Sequence, residues 1–452
     1  MRLKRYYFDY AAGTPLDSRV KKAMEPYWSK KFGNPGALHW FGQEASAAIF
    51  QARDIVAKSI GANYREIIFT SSATEANNLA LRGAVKMVQQ FSTGTAVLSL
   101  QRREPATPRS DFPPSAEPSK SELRSFRTKT AEPFLPKIIV SSIEHDSILE
   151  TARDLEKDGV EVVYLPVDKN GLVDLKKLKD ALDERTILVS AMYVNNEVGI
   201  IQPISKISEI IRNFREVKSQ KLNVKSSAMA YPLLHTDAVQ AFNYLNCDVN
   251  ELGVDLLTLS AQKIYGPKGA GALFMKHETR NLKQKEMFHA SSFMLHPIIT
   301  GGNQQEYGLR GGTENVPAIV GFGKAVELVE KSRNSENKRL RKLQEYFLAR
   351  MKKIAPKAKL NGPEDLEKRN PNNLNFYFPG SAAQELLIKL DLAGFAVSPG
   401  SACTARTCQP SHVLTAMGHS EERAMSSLRF TFGRPTTKAE IDRLTKVLMR
   451  VL

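Results

Sequence analysis

An acid and a lysine that follow two apolar, strand-like runs have the clearest chemical potential in this chain. Asp237 ends the run LLHTD, and Lys263 follows DLLTLS within the small-residue stretch SAQKIYGPKGAGAL. A lysine amine kept away from water is a good nucleophile and can form an imine with the aldehyde of pyridoxal phosphate (PLP). An acid at a neighbouring strand end can keep the pyridine nitrogen of PLP protonated, which makes the ring an electron sink. A buried Asp–Lys ion pair is the alternative, and these two residues alone do not exclude it.

A second chemical feature is a turn between a predicted strand and a predicted helix. The strand ends near Thr70 and is followed by SSATEANNLAL, in which Ser72 and Glu75 have the spacing of a helix capping box. Backbone N–H groups in the first turn of a helix can bind a phosphate. A plain helix cap explains the same residues equally well, so this turn alone indicates a phosphate site only weakly.

Polar residues also follow further predicted strands. His145 lies just beyond the strand that ends near residue 142, Asn195 and Asn196 lie in YVNNEVG, and Gln240 follows Asp237 in HTDAVQ. In open α/β sheets, ligands bind beyond the carboxyl ends of the strands. Any one of these side chains alone is as well explained by a structural role. Their shared position predicts a common site.

The elements that must position these residues alternate between short apolar runs and segments of helical period. Residues 43–60, for example, place Ile49, Ala52, Val56 and Ile60 on one helical face. This alternation predicts an α/β fold in which helices cover both faces of a mostly parallel sheet. The predicted strands of this sheet are 66–70, 137–142, 161–167, 186–193, 233–237, 255–260 and 271–275.

The pattern changes in the last quarter of the chain, which predicts a smaller α+β unit. Its predicted elements are a charged helix over 336–353, a strand in NLNFYF, and helices from 383 and from 437. We therefore predict a large PLP-binding domain over 15–332 and a small domain formed by 1–14 and 333–452.

Residues 92–135 interrupt the pattern with prolines, hydroxyl residues and charges, and they contain few aliphatic residues. Such a segment cannot bury enough apolar surface to offset its chain entropy. We predict a largely disordered surface insertion there, and two smaller polar inserts around 216–230 and 276–297.

The composition is that of a soluble globular protein. The chain has 452 residues, of which 42% are hydrophobic and 25% charged, and it has only three cysteines. Few cysteines and the lack of a leader-like or membrane-spanning apolar run predict a cytoplasmic protein without disulfides or membrane contact. The net charge of +16 permits contact with tRNA or with acidic proteins. The basic residues are spread along the whole chain, so direct contact with nucleic acid is not the prediction.

Ordered motifs along nearly the whole chain resemble the cysteine desulfurases, which are PLP-dependent enzymes of fold type I and class V. The motifs are YFDYAAGTPLD, FGNPGALHWFGQEA, SATEANN, IEHDSIL, VNNEVG, HTDAVQ, SAQKIYGPKGAGAL, YGLRGGTENVPAIVGF, VSPGSACTA and SSLRFTFGR. Only the three predicted inserts lie outside the resemblance.

The resemblance implies the residues that hold PLP. They are Ala73, Thr74, His145, Asn196, Asp237, Gln240, Ser260, Gln262, Lys263 and Thr313. By this resemblance Lys263 forms the imine, Asp237 pairs with the pyridine nitrogen, and Asn196 and Gln240 flank the ring hydroxyl. Ala73, Thr74 and Ser260 hold the phosphate. Thr313 reaches the phosphate from the partner subunit, which implies a homodimer.

The resemblance also implies the catalytic residues, which are Lys263, Cys403 and His145. His145 stacks on the ring and serves as an acid or base near the substrate thiol, while Asn34 and Arg429 hold the substrate carboxylate. The planar fork of Arg429 suits a carboxylate because two parallel hydrogen bonds can form. Cys403 lies in the small-residue loop SPGSACTARTC, and its thiolate attacks the sulfur of PLP-bound cysteine.

The activity that the resemblance implies is conversion of L-cysteine to L-alanine, with the sulfur carried as a persulfide on Cys403. The sulfur then passes to an acceptor protein, such as an iron–sulfur scaffold or a tRNA-thiolation enzyme. No resident metal is implied, although Cys403 can act as a transient ligand of an iron–sulfur cluster. The alternatives are a selenocysteine lyase, an aminotransferase of the same fold and a non-catalytic interaction protein. Cys408 is either a bystander or a second sulfur carrier, and Cys247, placed in an interdomain or surface segment, has no indicated role.

Gln262 departs from the family pattern, which usually has histidine beside the imine-forming lysine. A glutamine NH2 can donate the same hydrogen bond to the cofactor phosphate, but it never carries a positive charge. We therefore predict that PLP binds with somewhat lower affinity than it does with histidine at this position.

The Gln262→His variant should retain PLP more tightly than the wild type, because a charged imidazole adds attraction to the phosphate. The measurement is cofactor retention during dialysis, followed by absorbance. Equal retention in the two proteins contradicts the prediction.

Overall fold

The computed structural model describes residues 4–92, 135–221, 231–277, 295–302, 305–400 and 409–452. Most of the predicted insertion at 92–135 lies outside the described residues, as do Cys403 and Cys408. Part of the predicted insert at 216–230 is helical, since a helix continues to Lys221.

The central feature is a seven-stranded sheet. Its strands are β2 (Ile67–Thr70), β3 (Lys137–Ser141), β4 (Glu161–Leu165), β5 (Thr186–Ser190), β6 (Leu233–Asp237), β7 (Leu256–Ser260) and β8 (Gly271–Met275). The spatial order is β2-β8-β7-β6-β5-β3-β4, and only β8 runs antiparallel to its neighbours. The predicted α/β fold with a mostly parallel sheet is confirmed.

The described helices cover both faces of this sheet, which explains why most of its strands are apolar throughout. They are α1 (Ser18–Met24), α2 (Pro26–Ser29), α3 (Trp40–Ser59), α4 (Ala73–Ser92), α5 (Asp146–Lys157), α6 (Leu175–Ala181), α7 (Ile204–Lys221), α8 (Val249–Leu252) and α9 (Val316–Ile354). On one face, α3 and α9 pack over Phe69, Leu257 and Phe274. On the other face, α4 and α5 pack over Ile68, Ile138 and Leu188.

A second group of elements surrounds a separate hydrophobic core. It contains β1 (Tyr6–Tyr7), β9 (Lys359–Leu360), β10 (Asn373–Tyr377), β11 (Phe395–Ala396), β12 (Ser427–Thr431), α10 (Ala383–Leu392), α11 (His412–Ala416), α12 (Glu421–Met425) and α13 (Lys438–Val451). The core rings of Phe347, Phe376 and Phe430 pack edge to face. Tyr6 and Phe8 join this core, so the first residues pack with the last third of the chain. The division into two domains stays a prediction.

The predicted start of the charged helix at 336 is wrong, because α9 begins at Val316. Asn315 caps its first turn by accepting a hydrogen bond from the Ala318 N–H at 3.2 Å, and a proline occupies the first turn, where no N–H donor is needed. The helix therefore continues without interruption across the proposed boundary at 332/333.

Of the two predicted positions of Cys247, the surface position is wrong. The side chain of Cys247 is fully buried in the core under the large sheet, and burial raises the pKa of its thiol to about 12. In the described ranges, every helix is too short or too polar to cross a bilayer.

Arg369 joins the C-terminal elements to the loop after β5. Its fully buried guanidinium donates to the backbone carbonyls of Val198 (2.6 Å), Asn361 (2.6 Å) and Pro363 (3.0 and 2.8 Å). Burial lowers its pKa to about 9, and the positive charge of Arg341 acts in the same direction. No carboxylate among the described residues pairs with it, so carbonyl dipoles alone compensate its charge.

The Arg369→Ala variant should lose about 3–5 kcal/mol of stability, because it leaves three buried carbonyls without a donor. Thermal unfolding measures the loss. Arg153→Ala, which removes an exposed arginine on α5, is the matched control and should change stability by less than about 0.5 kcal/mol. Equal effects of the two substitutions would rule out the inferred role of Arg369.

Candidate active site

The carboxyl ends of the parallel strands bring the predicted residues to one edge of the large sheet. Asp237 is the last residue of β6 and Ser260 the last of β7. The same edge holds Thr74 at the start of α4, His145 in the loop after β3 and Asn196 in the loop after β5. The convergence that the sequence predicts is therefore present in the fold.

Asp237 is held by two hydrogen-bond donors. Its Oδ1 accepts the backbone N–H of Val239, and its Oδ2 accepts from Asn77 Nδ2, each at 2.9 Å. Asn77 is fully buried on α4, and its Oδ1 has no hydrogen-bond partner within the described ranges. Both of its partners are N–H donors, so the Asp237 side chain is held as a hydrogen-bond acceptor.

His145 caps α5, and this fixes its ring. Nδ1 accepts the backbone N–H of Ser147 at 3.1 Å, so the neutral ring carries its proton on Nε2. The Ser147 hydroxyl lies 3.0 Å from the same Nδ1 and accepts a hydrogen bond from Asn77 at 2.8 Å. Asn77 thus connects Asp237 to the group that orients His145.

The turn before α4 has the predicted helix start, with one difference in its cap. Ser72 Oγ accepts the N–H of Glu75 at 3.2 Å, but the Glu75 carboxylate accepts the N–H of Ser71 rather than that of Ser72. Arg310 also donates to Glu75 at 2.9 Å. The first N–H groups of α4 lack intrahelical acceptors, as at every helix start, and can face an anion.

Gly271 lets the sheet approach this turn closely. A Cβ on Gly271 would lie 2.6 Å from the Ser72 carbonyl carbon and 2.9 Å from the Ala73 nitrogen, which are impossible contacts. Any larger residue at the start of β8 would push the turn away from the site.

Lys263 ends a short 3-10 helix, Ala261–Lys263, directly after β7. Its Nζ donates to the carbonyl of Ala12 at 2.6 Å, and Gln240 Nε2 donates to the carbonyl of Ala11 at 3.0 Å. Thr14 donates to the Gln262 carbonyl through both its N–H and its hydroxyl. The segment after β1 therefore lies across the lysine.

Arg429 on β12 is 1% exposed and lies beside the same segment. Its guanidinium donates to Asp9 Oδ1 at 2.7 Å and to the Asn196 carbonyl at 2.9 Å, while its Nε has no hydrogen-bond partner within the described ranges. Arg429 thus fixes the backbone of a predicted ring-flanking residue, which the sequence analysis did not anticipate.

Two of the predicted site residues lie on exposed backbone. Asn34 accepts the N–H of Gly36 at 2.9 Å, and Thr313 precedes α9. Within the described part of the chain, no hydrogen bond joins either side chain to Lys263 or Arg429. Cys403 lies outside the described residues.

Glu144 is a buried carboxyl next to His145. Its Oε1 accepts the Met192 N–H at 2.6 Å, and its Oε2 has no partner within the described residues. The pKa of Glu144 is raised to about 8, mainly by burial; the Met192 N–H opposes this rise, and the Asp237 carboxylate makes a smaller contribution to it.

The structure identifies contributors that sequence reasoning missed, namely Asp9, Asn77, Glu144 and Ser147. All of them lie inside or beside the quoted motifs, so the motifs gave a positional signal. What the sequence could not give is which of their side chains turn inward.

Comparison with known proteins is consistent with this geometry. The sequence profile of the class-V aminotransferase family matches residues 6–101 and 135–444. Cysteine desulfurase IscS of Dictyoglomus turgidum is 39% identical over 449 residues, which cover 99% of this chain and 95% of that protein. This chain belongs to the cysteine desulfurases of the class-V aminotransferase family.

Solved structures agree with that membership. A NifS-like protein is 31% identical, with a TM-score of 0.75 and coverage of 99% of both chains. SspA in complex with cysteine is 32% identical, with a TM-score of 0.66 and coverage of 94% of this chain and 98% of that chain. As a member of this family, the protein is a PLP-dependent enzyme.

The residues present fit PLP. An acid held only by donors stands at one strand end, a lysine follows the next strand, and a helix start offers N–H groups to a phosphate. The close approach of Gly271 to Ser72 and Ala73 keeps that helix start at the sheet edge.

The Glu144→Gln substitution should make this desulfurase less sensitive to rising pH. In the unfolded wild type Glu144 ionises near its ordinary pKa of 4.5, whereas the folded protein keeps the proton until about pH 8. The protonated Glu144 therefore contributes its full stability below pH 4.5. The free energy of unfolding of the wild type falls as pH rises from there to about 8, by at most about 1.4 kcal/mol per pH unit.

Thermal unfolding midpoints of the two proteins between pH 5 and 8.5 test this expectation. The unfolding midpoint of Glu144→Gln relative to that of the wild type should rise with pH. The midpoint of Glu150→Gln, a substitution on the exposed face of α5, should change with pH as the wild type does. A difference between the Glu144→Gln and wild-type midpoints that is constant across this pH range would refute the assignment.

Proposed function

We propose that this chain removes sulfur from L-cysteine, releases L-alanine and carries the sulfur as a persulfide on Cys403. The observation that supports this most directly is the grouping of Lys263, Asp237 and His145 at one sheet edge. A relative named cysteine desulfurase and a related structure in complex with cysteine support the same substrate.

Lys263 and Asp237 act on the cofactor side of the substrate. When bound, PLP supplies an electron sink for the negative charge that develops at the substrate α-carbon. Asp237 would hold the pyridine nitrogen of PLP, and Asn196 and Gln240 would hold the ring hydroxyl. Lys263 Nζ would act as the general base that removes the α-proton of the substrate.

The phosphate side of the site is formed by Ala73 and Thr74 at the start of α4, Ser260 at the end of β7 and Gln262 beside the lysine. A helix start favours an anion through its N–H groups and its dipole. All of these residues lie within three residues of the end of β2 or β7 or in the first turn of α4, so their positions follow from the sheet.

His145 holds the proton that the reaction needs near the substrate sulfur. Because Nδ1 accepts from Ser147, the mobile proton sits on Nε2, which is the nitrogen left to face the substrate. Asn77, which donates to both Ser147 and Asp237, fixes the position of the His145 ring relative to Asp237.

Arg429 and Asn34 bind the substrate carboxylate in this proposal. The Arg429 Nε lacks a partner within the described residues, and its Nη2 is shared with Asp9. The substrate carboxylate would accept a hydrogen bond from the unpaired Arg429 Nε, which is a favourable charge-assisted contact.

The sulfur transfer balances without an external oxidant. The Cys403 thiolate attacks the substrate sulfur, so an S–S bond forms while the substrate C–S bond breaks and its electron pair stays with carbon. Protonation of that carbon, together with return of the α-proton from Lys263 to the α-carbon, yields L-alanine. An added thiol or an acceptor protein then takes the outer sulfur from Cys403.

We further propose a cytoplasmic homodimer that delivers sulfur to an iron–sulfur scaffold or a tRNA-thiolation enzyme. Thr313 is exposed, which is compatible with a contact between its side chain and the cofactor phosphate bound by the partner subunit. The side chains of Trp28, Phe32, Leu38, Trp40 and Phe50 are between 51% and 92% exposed. An apolar cluster of this kind supports a protein interface on that side of the chain.

The test is incubation of the purified holoenzyme with L-cysteine and dithiothreitol, with sulfide and alanine measured together. The wild type should form both in equal amounts, and Cys403→Ala should lose sulfide formation by about 100-fold or more while it keeps bound PLP. Cys408→Ala is the matched control and should keep most of the activity. Alanine formation without Cys403-dependent sulfide defeats the proposal.

A further inference from the structure

Asp9 is a carboxylate beside the proposed substrate site for which the reaction outlined above has no use. Its Oδ1 accepts a hydrogen bond from Arg429 Nη2 at 2.7 Å. The Arg429 side chain is 1% exposed and the Asp9 side chain 15% exposed, and no other carboxylate among the described residues pairs with Arg429. Before substrate binds, Asp9 therefore supplies the negative charge that a buried guanidinium requires.

The backbones of Asp9 and Arg429 are both held in place. Arg429 on β12 pairs with Asn375 on β10, and its N–H donates to the Ser398 carbonyl at 2.7 Å. Asp9 forms a parallel bridge with Thr431, which lies on the same strand as Arg429. Because neither backbone can retreat without loss of these contacts, the ion pair opens by rotation of a side chain.

The contacts of Arg429 differ in whether a substrate carboxylate can replace them. Nη1 donates to the backbone carbonyl of Asn196 at 2.9 Å, and that carbonyl also accepts from Asn373 Nδ2 at 3.3 Å, which keeps it in place. Nε is buried and has no hydrogen-bond partner within the described residues. Nε and Nη2 form one edge of the guanidinium, and such an edge binds a carboxylate through two parallel hydrogen bonds. On this edge, Asp9 already occupies Nη2.

A substrate carboxylate therefore competes with Asp9 for Arg429. Either Nη2 serves two carboxylates at once or the Asp9 side chain rotates away, and the negative charge of Asp9 opposes binding in both cases. L-cysteine and L-alanine carry the same carboxylate, so this opposition acts equally on the substrate and on the product. An effect of this kind changes the affinity of the site without changing the chemical step.

We propose that Asp9 is a positioning residue that holds Arg429 before substrate binds and limits the affinity of Arg429 for the carboxylates of L-cysteine and L-alanine. The inference deepens the proposed function and rests on it, because it assumes that Arg429 binds the substrate carboxylate. Asp9 does not touch the reacting atoms. Its part in turnover is to make the release of L-alanine easier, since the Asp9 carboxylate takes back the guanidinium as the product leaves.

The experiment compares the affinity of the wild-type and Asp9→Asn holoenzymes for L-alanine by isothermal titration calorimetry. An asparagine keeps an acceptor for Arg429 Nη2 but removes the competing charge. The dissociation constant of L-alanine should therefore fall by roughly tenfold, which is the scale of one charge-assisted hydrogen bond. KM for L-cysteine should fall as well, while kcat should not rise.

Thermal unfolding supplies a readout that does not depend on turnover. Without ligand, Asp9→Asn should unfold at a lower temperature than the wild type, because its buried Arg429 lacks a counter-charge. The same concentration of L-alanine should raise the unfolding midpoint of Asp9→Asn more than that of the wild type, because tighter binding to the folded state gives more stabilisation. If the variant unfolds during purification, L-alanine in the buffer should restore it.

Two controls separate the charge of Asp9 from general effects of the substitution. L-alaninamide has an uncharged amide in place of the carboxylate, so its affinity should differ by less than about twofold between the two proteins. Asp17→Asn is the matched variant, since Asp17 lies on the same N-terminal segment but pairs with Arg19 and Arg434 instead of Arg429. The affinity of Asp17→Asn for L-alanine should stay within about twofold of the wild type.

The remaining outcomes overturn the inference. An unchanged or weaker affinity of Asp9→Asn for L-alanine means that Asp9 does not compete with the carboxylate, and an equal gain for L-alaninamide means that the gain has another origin. If the unfolding midpoint falls and L-alanine raises it no more than in the wild type, the role of Asp9 is structural. If the wild type forms neither sulfide nor alanine from L-cysteine, the proposed function fails together with this inference, whereas normal turnover with equal affinities overturns the inference alone.

Discussion

The backbone carbonyls of residues 196–199 are the constraint on which the active site depends. This short loop follows β5, yet the groups that hold it come from the C-terminal third of the chain. The donors are Arg429 and Asn373 for Asn196, Asn375 for Glu197, Arg369 for Val198 and the backbone N–H of Asn370 for Gly199. Buried carbonyls need donors, so this loop keeps its shape only while the C-terminal elements are in place. Asn196, which is predicted to flank the cofactor ring, is therefore positioned both by the large sheet and by the C-terminal elements.

Around that loop, the site is a network of donors and acceptors more than a set of independent residues. Asn77 links Asp237 to Ser147 and through it to His145, while Arg429 links Asp9 to the Asn196 carbonyl. A change in one member shifts the orientation of the next, because each has few alternative partners in a buried setting. The buried carboxyl of Glu144 belongs to the same region, and its raised pKa reflects the scarcity of compensating donors.

Much of the fold could be predicted from the sequence, since buried parallel strands are continuous apolar runs and each strand of the large sheet lies where its run predicts. The placement of residues at strand ends followed from that sheet. The start of α9 was missed because its first turns are as apolar as the core they cover, and Cys247 was misplaced because a local sequence does not reveal burial. The network could not be predicted because contacts such as Asn77 with Asp237 join residues far apart in sequence, and only packing decides which polar side chains turn inward.

The length of α9 limits how this enzyme can move. At 1.5 Å per residue, 39 helical residues extend for about 58 Å. One end of this helix packs under the large sheet and the other contributes Phe347 to the aromatic core of the C-terminal elements. A swing of one part against the other would have to bend this helix and break backbone hydrogen bonds along it. We therefore expect the enzyme to move mainly through its loops, on a frame that α9 keeps stiff.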